Sequence, residues 1–91
     1  MRGLVALVEE HHVEFAVVSV KDYVMHGPTS HKDELVATFT TEFGAPAVLM
    51  SQDGHGRLEF FGRLELTQWL EDNIDDPGQL PWREFNLDLA A

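Results

Sequence analysis

Two apolar runs on either side of Asp53-Gly54 constrain this chain more than any other feature. Pro46-Ala47-Val48-Leu49-Met50-Ser51 stands before the pair, and Arg57-Leu58-Glu59-Phe60-Phe61 after it. Asp and Gly both tolerate the positive φ of tight hairpin turns, which predicts an antiparallel hairpin of 46–51 with 57–61. The first run is apolar on both faces, as in a strand inside a sheet. The second alternates, Leu58 and Phe60 against Glu59, as in a strand nearer an edge.

The remaining elements are expected to pack around this hairpin. Residues 13–20 are β-branched and aromatic, which suits a central strand that 21–25 can extend. His26-Gly27-Pro28-Thr29 then breaks the structure. Ser30 as N-cap with Asp33 three residues on predicts a helix over 31–43, whose stripe is Leu35, Val36, Phe39 and Phe43. Gly44 ends it and Pro46 cannot continue it. A second helix is expected over 64–74, with Leu66, Trp69, Leu70 and Ile74 buried and Pro77-Gly78 as a stop. From residue 83 the tail alternates, with Phe85, Leu87 and Leu89 opposite Glu84, Asn86 and Asp88, as in a half-buried edge strand anchored by Trp82. Residues 3–12 fit a helix or a strand covered on both faces. The poor turn chemistry of His11-His12 favours the helix.

Ninety-one residues make one domain, 1–91, with 79–91 as a candidate interaction tail. The chain has 6 Lys+Arg against 16 Asp+Glu, a formal net charge of −10. Direct nucleic-acid binding needs clustered Lys and Arg, and an anionic membrane surface is disfavoured on the same ground. The apolar start ends at Glu9-Glu10 without a small-residue cleavage site, so it reads as structure. No apolar run approaches the roughly 20 residues of a membrane span. With no cysteine, disulfides, thiol catalysis and thiolate metal sites are excluded, and the expected location is cytoplasmic.

Candidate chemistry is sparse. His26, His31 and His55, with Asp53, are the metal or acid–base candidates, since they fall in predicted loops or at a helix start. No serine sits in a nucleophile elbow, and Gly54-His55-Gly56 is too short for a phosphate loop. No catalytic residue and no cofactor are assigned. Glu71, Asp72, Asp75 and Asp76 lie at or beyond the C-terminus of the second helix, where the macrodipole disfavours acids. That makes them, with Trp82, Phe85, Leu87 and Leu89, the candidate interaction residues.

Residues 4–74 resemble the distal part of a thioredoxin-like domain. The carriers are a helix at 4–12, a strand at 13–20 and a helix at 32–43. Gly44-Ala45-Pro46-Ala47-Val48-Leu49-Met50, a turn at Gly54, a strand at 58–62 and a helix at 66–74 follow. The resemblance implies that Pro46 is the family's cis-proline, and that the topology serves binding. Thiol–disulfide chemistry is excluded, because Cys-x-x-Cys is missing. The first strand, its helix and a central strand of the family are missing as well. The same local order also fits an unrelated α+β arrangement that begins with a strand.

These readings predict an α+β domain with a mixed sheet of three or four strands built on hairpin 46–61. Helices 31–43 and 64–74 cover one face, and a C-terminal strand closes an edge. The expected core is Leu7, Phe15, Val17, Val18, Leu35, Phe39, Phe43, Val48, Leu49, Leu58, Phe60, Leu66, Trp69 and Leu70. The predicted function is a non-enzymatic protein-interaction module or homodimer, with a protein partner or a second copy. The alternatives are a small metal- or His-dependent enzyme using His26, His31, His55 and Asp53, and an acidic mimic that occupies a basic nucleic-acid-binding surface.

Overall fold

The computed structural model describes residues 2–10 and 12–87, and Leu89 lies outside them. A five-stranded mixed sheet runs through the molecule in the order β4-β3-β2-β1-β5. Its strands are β1 (Arg2–Glu10), β2 (Val13–Ser19), β3 (Ala47–Gln52), β4 (Leu58–Phe61) and β5 (Trp82–Asn86). The helices are α1 (Asp22–Met25), α2 (Thr29–Phe43) and α3 (Leu64–Asn73), and a 3₁₀ turn spans Pro77–Gln79. Among the described strands only β2 and β3 are parallel, with Val17 beside Val48. Parallel neighbours need a long crossover, and α1 and α2 supply it.

The fold is α+β, as expected, but the sheet has five strands because 2–10 is a strand and not a helix. Its apolar run is continuous because both of its faces are covered. Val5 packs on the α2 side and Ala6 on the α3 side. Antiparallel pairing runs as far as Glu10 with Val13. His12 takes a φ of 66°, a left-handed conformation in which histidine is over-represented. Pairing with β2 and β5 thus outweighs the weak turn chemistry.

The two long helices cover opposite faces, not one. Alternate β2 residues separate cleanly. Phe15 and Val17 pack with Leu66 and Leu70 of α3, and Ala16 and Val18 pack with Phe39 of α2. A strand buried on both faces must present alternate side chains to two layers. Of the expected core, Phe15, Val17, Val18, Phe39, Val48, Leu49, Leu66 and Leu70 are buried, while Leu7, Leu35, Phe43, Leu58, Phe60 and Trp69 are half-buried.

Three local expectations are corrected. Residues 22–25 form a helical turn and do not extend β2. Helix α2 begins at Thr29, so Ser30 is inside it and caps nothing; the amides of His31 and Lys32 donate instead to the Pro28 carbonyl. The hairpin's positive φ falls on Gly56, at 83°, and not on Asp53 or Gly54. The Asp53 carboxylate holds the loop by accepting from the amides of His55 and Arg57, at 2.8 and 2.9 Å. The helix end at Gly44 is as expected, with a left-handed φ of 66°. Thr40 Oγ1 then accepts from the Ala47 amide, which ties α2 to the start of β3.

Two findings differ from what the thioredoxin-like resemblance implies. There is no cis peptide bond among the described residues, so the bond before Pro46 is trans. Of the segment matched to a helix at 4–12, residues 4–10 belong to strand β1.

The tail is an edge strand of its own sheet, antiparallel to β1, with Gly3 beside Phe85. A Cβ on Gly3 would stand 2.9 Å from the Phe85 ring, so the glycine lets that ring lie against β1. Phe85 also meets Phe39 and Phe43 edge-on, at 5.7 and 5.4 Å between centroids. On the opposite face Trp82 joins the α3 cluster, and its Nε1 donates to the Pro77 carbonyl.

Candidate functional site

The α1 turn divides the surface beside α2 into two sites. Asp22 and His26 stand four apart, so they share one side of the turn. His26 Nδ1 is 3.6 Å from Asp22 Oδ2, and His26 Nε2 is 3.1 Å from Glu59 Oε2 on β4. The three side chains offer ligand atoms within 4.8 Å of one another. Asp22 Oδ1 is shut off from water and has no hydrogen-bond partner. Lys32 braces the same corner, donating to the Met25 carbonyl at 2.9 Å and lying 4.7 Å over the Phe61 ring.

On the other side of α1 a cavity of about 450 Å³ opens between the ends of β1 and β2 and the start of α2. Leu4, Val20, Tyr23, Val24 and Leu35 give it an apolar lining, and Arg2, Lys21 and His31 add the charged and titratable groups. Tyr23 is 77% exposed and Leu4 40% exposed.

The four sequence candidates do not converge. His26 joins Asp22 and Glu59, His31 lines the cavity, and His55 with Asp53 belongs to the hairpin loop. Asp53 has a structural role. The amides of Arg57 and His55, with smaller help from their charges, hold its carboxyl below the ordinary value of 3.8. Because the folded value is the lower one, its contribution is complete above the unfolded value and lost as pH falls through the folded value. The Arg57 amide is therefore expected to lose exchange protection on acidification below about pH 4. Asp53→Ala should remove that acid dependence, and an unchanged titration in this variant would refute the role.

The predicted interaction residues fall in two places. Trp82, Phe85 and Leu87 pack within the domain, as described for the tail. Glu71 and Asp72 are exposed at the end of α3. Asp75 is also exposed, but its amide donates to Gln79 Oε1. Asp76 caps the 3₁₀ turn, accepting from the Gly78 amide at 2.9 Å.

Sequence reasoning missed Asp22, Glu59, Tyr23, Arg2, Lys21 and Leu4. The Asp22–His26 spacing was present in the chain, but it brings side chains together only on a helix, and 21–25 reads as strand. Glu59 follows from no local pattern, since it lies 33 residues from His26.

Compared with known proteins, the chain matches no family model, no curated protein and no solved structure.

Proposed function

We propose that the protein is a non-enzymatic interaction module whose docking surface is the cavity beside α1. The observation that carries this reading is Tyr23, a large aromatic side chain 77% exposed at the mouth of an apolar cavity. Tyrosine is enriched among the residues that dominate binding energy, because it offers a large contact area with few rotatable bonds. A different protein is a better partner than a second copy, because two chains of net charge −10 repel. The edge strands are less suited to docking. Strand β4 has four residues, and β5 presents Arg83 and Glu84 to solvent, both devices that discourage strand addition.

The test is peptide display on the full chain, followed by affinity measurements on the selected peptides. Tyr23→Ala is expected to keep the wild-type Tm, because the side chain is exposed, and to weaken binding by about 2 kcal/mol. Wild-type affinity in Tyr23→Ala would place docking elsewhere.

A second reading is favoured by the unpartnered Asp22 Oδ1. One imidazole and two carboxylates form a donor set suited to Zn²⁺ or a similar divalent ion, with positions left for water. A tetrahedral zinc with these donors sets ligand atoms about 3.3 Å apart, near the 3.1 Å of His26 and Glu59. Asp22 offers a third donor within 4.8 Å of the other two. Calorimetric titration with Zn²⁺ should give saturable binding that weakens about tenfold or more in His26→Ala and in Glu59→Gln. Equal binding by wild type and both variants would remove this reading.

A further inference from the structure

Among the described residues two buried side-chain polar atoms have no hydrogen-bond partner, Asp22 Oδ1 and Ser51 Oγ. Ser51 is 1% exposed and stands directly opposite Glu59 in the β3–β4 register. Opposed residues of an antiparallel pair put their side chains on one face, with Cβ atoms roughly 4.5–5.5 Å apart. Glu59 reaches His26 from that face, so Ser51 lies beneath the same corner of the molecule. Strand alternation agrees, since Leu49, two residues earlier, packs with Met25 of α1. The start of α1 is held over the spot as well. The Val20 amide donates to the Met50 carbonyl, next to Ser51, and α1 packs on both β3 and β4. We propose, resting on the divalent-ion reading above, that Ser51 is a positioning residue of that site. Its hydroxyl donates to Asp22 Oδ1 when the ion is bound, and so fixes the carboxylate with Oδ2 toward the ion.

The two unpartnered atoms are complementary. A carboxylate oxygen accepts, and a serine hydroxyl can donate. A buried hydroxyl left unbonded is costly, and a bound ion is among the ordinary explanations of one. The other groups of the corner call for a cation. Asp22 and Glu59 bring two carboxylates, and among the described residues neither has a Lys or Arg in an ion pair with it. Lys32 braces the corner, but its ammonium is turned to the Met25 carbonyl and the Phe61 ring. A neutral hydroxyl is a poorer zinc ligand than imidazole or carboxylate, so the places on the ion fall to His26, Glu59 and Asp22. Ser51 then stands behind Asp22, where a ligating carboxylate is itself hydrogen-bonded and its angle to the ion is set.

The test combines calorimetric titration of the full chain with Zn²⁺ and the Tm of the metal-free chain. In Ser51→Ala the affinity for Zn²⁺ should fall about 10–100-fold, the usual effect of removing the hydrogen-bond partner of a metal ligand. The metal-free Tm of this variant should equal or exceed that of wild type, because the substitution takes an unbonded hydroxyl out of the interior. Ser51→Thr keeps the hydroxyl and should bind Zn²⁺ as wild type does. Wild-type affinity in Ser51→Ala, while His26→Ala and Glu59→Gln still weaken binding, overturns the role of Ser51 and leaves the ion site standing. Equal losses in Ser51→Ala and Ser51→Thr assign the effect to packing and overturn the role too. So does a lowered metal-free Tm in Ser51→Ala, which would mean that the hydroxyl is bonded without the ion. An absence of saturable Zn²⁺ binding by wild type overturns both the site and the role of Ser51 in it.

Discussion

A chain ending at Gln79 should fail to fold. The truncation removes Leu80, which is 7% exposed in the α3 cluster, together with Trp82 and Phe85. Each such side chain contributes roughly 1.5–3 kcal/mol through burial. A small domain holds about 5–15 kcal/mol in total, so the loss takes up most of the margin. The cut also strips β1 of one neighbour and leaves its ladder groups open along Arg2 to Ala6. Circular dichroism and denaturant titration should show no cooperative transition in the shortened chain. A folded monomer of 1–79 would mean that the tail lies on the domain without holding it together. It would also return Trp82, Phe85 and Leu87 to the list of free interaction residues.

Phe39→Ala is the point substitution with the largest expected cost, about 3–5 kcal/mol. Phe39 is fully buried and sits between Phe43, at 6.2 Å, and Phe85, at 5.7 Å. Its removal leaves a cavity where α2, the tail and the sheet meet, and the rings around it belong to separate elements. Both tryptophans, Trp69 and Trp82, pack on the opposite face with α3. Tryptophan fluorescence in urea therefore reports the far side of the sheet. Its midpoint should fall together with the helical signal, because β2 is shared by the two layers and a domain of this size unfolds as one unit. A fluorescence transition left in place while helix α2 melts would show that the two faces unfold separately.

Four of the five strands were legible in the sequence, and β1 was misread as a helix. Alternation and turn residues act locally, so β3, β4, α3 and the tail strand could be read from their own side chains. Strand β1 could not, because its run is apolar on both faces and such a run fits a buried helix equally well. What decides is the pairing of Val5 with Val18 and with Arg83, contacts that no window of the chain contains. Placing both helices on one face failed for a related reason. Phe15 to Val18 are apolar without a break, which is the mark of two covered faces, and a second layer was needed to cover them. The candidate site was less legible still. Tyr23, Lys21, Asp22 and His26 gain meaning only once 22–25 is a helical turn, and that turn follows from where β2 leaves the sheet. The Val20 amide makes its bond to the Met50 carbonyl, and the chain then turns away.

The proposed docking beside α1, and not at the tail or the acidic end of α3, is open to one direct test. Amide chemical-shift mapping of the full chain, titrated with a display-selected peptide, tests it directly. Shifts confined to residues 2–4, 19–24, 31 and 35 are expected. Shifts centred on Trp82–Asn86, or on the acidic stretch 71–76, would contradict it and restore the tail edge or the acidic end as the interaction surface.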